Sequence, residues 1–161
     1  MDRSTLVKTG KTPVLDGPAW RKLLESIPAT TLCDMRDRAL IATFTYSFAR
    51  IGAALRMKVE DLRPRGAGWT VQLHEKGGKE HSMPCHHALA KALRVYIDAA
   101  GIAEDRTGGL FRTERGHKAD ALSICPMNQS DAWLMIRRRA AAAGITAPIG
   151  CHTFRARGTA L

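Results

Sequence analysis

Apolar residues recur with the period of an α-helix along most of the chain and with the period of a strand over one short stretch. Asp16-Gly17-Pro18 reads as a helix start, with Asp as N-cap and Pro just inside. Trp20, Leu23, Leu24 and Ile27 follow at i, i+3, i+4 and i+7, and Pro28 stops the run. A second helix is predicted from about Asp34 to Phe48, with Leu40, Phe44 and Phe48 stacked at i, i+4 and i+8. Ile41, Ala42 and Thr45 widen that stripe, which makes this helix central. A short helical turn follows over Ile51–Met57. Between Trp69 and Cys85 the period changes: Trp69, Val71 and Leu73 alternate with Thr70, Gln72 and His74, and Gly77-Gly78 supplies a tight turn before Glu80–Met83 returns. That hairpin carries Lys76 and Lys79 at its tip. From His86 to Ala100 a helix resumes on Leu89, Leu93, Tyr96 and Ile97, closed by Gly101. Residues 104–126 are polar and read as a long loop around Leu110-Phe111. Asn128 or Ser130 caps a further helix, about Asp131 to Ala143, ended by Gly144. Cys151–Leu161 opens another helix, and residues 1–15 read as a polar tether. The predicted class is mainly α with a small antiparallel hairpin.

Composition narrows what such a fold does. The 161 residues carry 25 Lys+Arg against 15 Asp+Glu, a formal net charge of +10, with 45% apolar and 25% charged residues. That is the balance of one globular domain. No apolar stretch approaches the roughly 18 residues of a membrane span, and the first residues lack the apolar centre of a secretory signal. Four scattered cysteines predict reduced thiols and a cytoplasmic setting. Arginine outnumbers lysine 17 to 8, and its planar fork grips phosphate oxygens in pairs. The excess is spread over the chain, so it marks a folded polyanion-binding face, set against the plainer reading of a solvated arginine-rich surface.

Three basic motifs carry a resemblance. RDRALIATFTYSFARIGAALRMKVEDL (36–62), HEKGGKEHSMP (74–84) and CHTFRARG (151–158) resemble, in order, the first box, the lysine-bearing turn and the His-x-x-Arg box of the tyrosine recombinases, the phage-integrase family. The likeness runs from about residue 14 to the C-terminus. It implies a recombinase catalytic-domain fold that exchanges phosphodiesters without metal or cofactor. It assigns Arg50 and Arg155 to the non-bridging oxygens of an anionic phosphorane, Lys76 to the proton of the leaving 5′-oxygen, and His152 to the nucleophile's proton. It also implies double-stranded DNA as partner, recombinase protomers assembled on that DNA, mobile-element chemistry, and residence on the nucleoid. His152 lies one helical turn before Arg155, so both can face one phosphate. Lys79 is assigned to backbone phosphate. In Arg137-Arg138-Arg139 three successive positions fan over about 200°, so Arg137 and Arg138 are taken for DNA and the remainder for solvent. Trp133, Ile136, Ala140 and Ala143 form that helix's apolar side. His81, Cys85, His86, His87 and Cys151 lack metal-ligand spacing, and no metal is expected.

The departures matter equally. Ala53 stands where the family usually has a carboxylate, and Arg157 where it usually has a small hydroxyl residue. The family's nucleophilic tyrosine lies a few dozen residues beyond His-x-x-Arg, whereas the two tyrosines here, Tyr46 and Tyr96, read as core. Residues 16–161 are therefore expected to be a partial catalytic domain that binds DNA without cleaving it. The alternative is a non-catalytic DNA-binding module that competes with or complements an intact recombinase.

Overall fold

The computed structural model describes residues 17–145. The expected tether, the final helix and the site residues His152 and Arg155 lie outside the described residues.

Helix α1 spans Gly17–Ser26. It buries Trp20 and Leu23, with Ile27 just beyond its end, and Arg38 donates from the next helix to the carbonyls of Leu24 and Ile27 (3.2 and 2.7 Å). A cation on orphan C-terminal carbonyls satisfies them and suits the helix dipole. Helix α2 spans Leu32–Ser47, two residues earlier than the apolar stripe predicts. The reason is a capping box: the Asp34 amide donates to Thr31 Oγ1 at 3.0 Å, and Asp34 Oδ2 accepts from the Thr31 amide at 3.1 Å. Leu40, Ile41, Ala42 and Phe44 are all buried, so α2 is the central helix. Phe48 does not extend its stripe. It closes the helix in the left-handed region (φ 55°) with its side chain partly exposed.

After the short α3 (Ile51–Leu55) and a tight turn at Val59–Asp61 comes a sheet of three strands where a two-stranded hairpin is predicted. Strands β1 (Leu62–Arg65), β2 (Gly68–His74) and β3 (Glu80–Pro84) run antiparallel, with Leu62 opposite Val71 and His74 opposite Glu80. β1 carries one inward residue, Leu62, and a proline, so no alternation marks it; Pro64 is tolerated because β1 is an edge. Val71 and Leu73 point into the core, whereas Trp69 is half-buried under the Arg94 guanidinium, 4.9 Å from the ring centre. Helix α4 (His87–Ala100) packs Leu89, Leu93, Tyr96 and Ile97 inward and ends at Gly101 in the left-handed region.

The largest correction falls on residues 104–126. Most of this stretch forms a second hairpin, β4 (Arg112–Arg115) and β5 (Lys118–Pro126), lying against α2. Its strands expose most of their side chains, so the alternation that betrays a half-buried strand is absent. Leu110 and Phe111 are fully buried at its root, where Tyr96 Oη donates to the Leu110 carbonyl at 2.7 Å. Helix α5 (Gln129–Ala142) is capped by Asn128 and Asp131 and buries Ala132, Met135, Ile136 and Ala140. Trp133 sits half-exposed at its edge, so it is not a core residue.

Beneath α5 lies a buried charge cluster. Arg36, 1% exposed, donates Nε and Nη2 to Asp37 Oδ1 (3.0 and 2.8 Å), Nη1 to the Arg112 carbonyl (2.8 Å) and Nη2 to Glu114 (3.1 Å). Arg139 donates Nε to Asp37 Oδ2 and Nη2 to Asp34 (3.0 and 2.8 Å). The cluster ties α2, β4 and α5 together.

Candidate nucleic-acid interface

The path from α2 to α3 sets the position of Arg50. Ser47 Oγ donates to the Thr43 carbonyl and accepts from the Ala49 amide, and Phe48 turns the chain through positive φ. A bulky residue there is uncommon and strained, which the surrounding bonds must hold. The chain emerges with Arg50 as the N-cap of α3, exposed and without a carboxylate partner among the described residues. Behind it Ala53 is fully buried, leaving a methyl where the resemblance places an acid.

Lys76 sits on the turn between β2 and β3. Glu75 donates its amide to the Lys79 carbonyl at 2.6 Å, and Gly77 and Gly78 take φ of 82° and 81°. These conformations strongly favour glycine, which has no Cβ to clash. Lys76 and Lys79 are both exposed and have no carboxylate partner among the described residues. One bond joins this turn's base to α3: Arg56, the C-cap of α3, donates Nε–H to the His74 carbonyl at 2.9 Å. Arg50 and Lys76 thus stand on two elements fastened to each other.

The arginine run of α5 divides. Arg139 turns inward to Asp34 and Asp37. Arg137 is exposed with its guanidinium 4.5 Å from the centre of the Trp133 ring, and Arg138 is exposed beside a cleft of about 410 Å³ facing the β4–β5 turn. That turn adds Arg115, His117 and Lys118, three exposed basic residues that sequence reading assigned to a loop without a role. The only early signal was three basic residues around Gly116. Burial opposes ionisation of Asp34, but Arg139 and the Thr31 and Thr30 amides outweigh it and hold the carboxyl below its ordinary range. Glu114 is likewise lowered: burial opposes ionisation and the Arg36 charge outweighs it. Asp34 and Glu114, both beside the cleft, are therefore held in the ionised form and engaged by arginines.

Both tyrosine rings are packed against other groups. Tyr96 is buried, which pushes its phenol up to about 12. Tyr46 is half-buried rather than core, stacked on His86 (4.3 Å between ring centres), which in turn stacks on His87 and accepts the Ala88 amide as the cap of α4.

Comparison with known proteins decides the family, because the model of the phage integrase family matches residues 14–161. The chain belongs to the phage integrase family. This integrase-family chain is 26% identical over 138 residues to the tyrosine recombinase XerD of Corynebacterium glutamicum, covering 83% of the chain and 42% of that protein. It is 33% identical over 98 residues to XerC of Rhodospirillum centenum, covering 61% of the chain and 27% of that protein. Among solved structures, the XerA recombinase superposes with a TM-score of 0.70 at 22% identity, covering 89% of this chain and 47% of that one. XerH bound to its palindromic difH substrate, in a post-cleavage complex, gives 0.68 at 20% identity, covering 89% and 40%. The fold is that of the tyrosine recombinases. The integrase-family chain spans less than half the length of these relatives.

Proposed function

We propose that this chain grips duplex DNA by its phosphate backbone and supplies the basic residues of a site-specific recombinase's catalytic centre. Arg50 and Arg155 hold the non-bridging oxygens of the scissile phosphate, Lys76 protonates the leaving 5′-oxygen, and His152 handles the nucleophile's proton. Lys79, Arg137 and Arg138 contact neighbouring phosphates. The observation that carries this reading is the pairing of two exposed cations, Arg50 and Lys76, neither ion-paired to a carboxylate among the described residues, on elements joined by the Arg56–His74 bond. Exposed cations that no described carboxylate neutralises suit phosphate, and the similar structures include a recombinase bound to DNA.

A second reading, a DNA-binding module without cleavage, is favoured by the state of Tyr46 and Tyr96, the two tyrosines of the 161 residues. Two measurements test both. Duplex binding is expected to fall steeply with salt; Arg50→Ala should weaken it by about tenfold and lower the log–log salt slope by about 1. An unchanged slope refutes the phosphate contact. Incubated with a nicked suicide duplex, the 161-residue polypeptide should form no covalent adduct, and an adduct would overturn the second reading.

A further inference from the structure

The Lys76 turn makes few contacts of its own. Residues 76–80 are exposed, the β2–β3 ladder ends at His74 opposite Glu80, and the turn is closed by the Glu75–Lys79 backbone bond. Where Lys76 points therefore depends on how His74 is held. His74 is held from three sides. Its carbonyl accepts Arg56 Nε–H at 2.9 Å. Its Nε2 lies 3.0 Å from Oδ2 of Asp61, a buried carboxylate that also accepts the Lys58 amide at 2.8 Å. Its Nδ1 lies 3.7 Å from Glu80 Oε2, and Glu80 is bonded in turn by Gln72. Two of the three anchors, Arg56 and Asp61, belong to the segment that continues directly from α3. Gly52 leaves room for this: a Cβ there would stand 3.1 Å from Arg56 Nη1, which folds back along the helix.

We propose that Arg56 is a positioning residue: its Nε–H bond to the His74 carbonyl fixes the Lys76 turn to the helix that presents Arg50. Along α3 about 9 Å of rise separates Arg50 from Arg56, and the two residues from His74 to Lys76 span at most about 7 Å. One clamp thus fixes the base of the Lys76 turn to the end of the helix that presents Arg50. The inference rests on the reading that Lys76 meets DNA phosphate. Arg56 itself is exposed and need not touch the DNA.

The test is a set of double-mutant cycles on the full chain, read as affinity for a short duplex over a range of salt. Gln places its Nε2–H₂ at the same position along the side chain as Arg Nε, so Arg56→Gln keeps the bond and loses the charge. Arg56→Met keeps the length and loses both. In the unmodified chain and in Arg56→Gln, Lys76→Ala should weaken binding by about threefold to tenfold and reduce the salt slope by about 1. In Arg56→Met the same substitution should change affinity by less than about twofold, with no change of slope. Backbone amide exchange over residues 75–79 should accelerate in Arg56→Met and not in Arg56→Gln. If Met and Gln behave alike, Arg56 acts by charge alone and the positioning role is refuted. If Lys76→Ala changes nothing in the unmodified chain, the phosphate contact of Lys76 falls instead.

Discussion

Asp37 is the residue on which the buried charge cluster turns. Its side chain is 0% exposed and its two oxygens are divided between Arg36 on one side and Arg139 on the other. In Asp37→Ala the Arg36 guanidinium, 1% exposed, keeps Glu114 and the Arg112 carbonyl but loses two charge-assisted bonds, and Arg139 keeps Asp34 alone. Removing one partner from a buried ion pair costs about 3–5 kcal/mol, because the remaining charge stays desolvated. Against the roughly 5–15 kcal/mol that holds a domain together, this brings the chain close to unfolding. Asp37→Asn retains one acceptor and should cost about 2 kcal/mol. Arg36→Met combined with Asp37→Leu removes both charges and should be less damaging than Asp37→Ala, since apolar groups of similar volume replace buried pairs at little loss. Urea denaturation followed by far-ultraviolet circular dichroism reads all three, with Asp98→Ala on the exposed side of α4 as a control expected within about 0.5 kcal/mol. A loss below about 1 kcal/mol in Asp37→Ala, or a double variant weaker than the single one, refutes the account of a desolvated pair.

Two further outcomes are expected. Asp34 and Glu114 have folded pKa values below their unfolded ones, so their stabilisation is complete above about pH 4–5 and lost as pH falls through the lowered folded values; denaturation midpoints flat from pH 7 down to 2 would contradict this. Among the described cysteines, Cys125 is exposed, Cys33 is raised chiefly by burial, and burial pushes Cys85 up to about 11. Of these three, alkylation at pH 8 followed by peptide mapping should label exposed Cys125 before Cys85, whose burial both shields the sulfur and shrinks its thiolate fraction; equal labelling of the two refutes the burial argument.

Local chemistry carried the helices. The long helices announce themselves by apolar stripes, such as Trp20 through Ile27, and some by a cap as well: Asn128 before α5 and Gly101 after α4. The Gly77-Gly78 turn was legible because two adjacent positive-φ positions need glycine, and with it the exposed Lys76. The motif around Arg50 marked it as a candidate, and the fold leaves it exposed at the start of α3. The strands β1, β4 and β5 were not, since edge strands with few inward residues carry no alternation of their own.

Sequence by itself thus determined where the backbone coils and turns, because caps, stripes and glycines act within a few residues of themselves. Tertiary structure alone decided the use of each charge. Arg137, Arg138 and Arg139 are identical neighbours in sequence, yet Arg139 is drawn inward by Asp34 and Asp37, more than 100 positions away. Arg36 and Arg56, unremarked in the sequence, became the centre of the core's ion cluster and the clamp between the two candidate site elements. A cation's role depends on which carboxylates and carbonyls the fold brings within about 3 Å of it, and that proximity is not written locally.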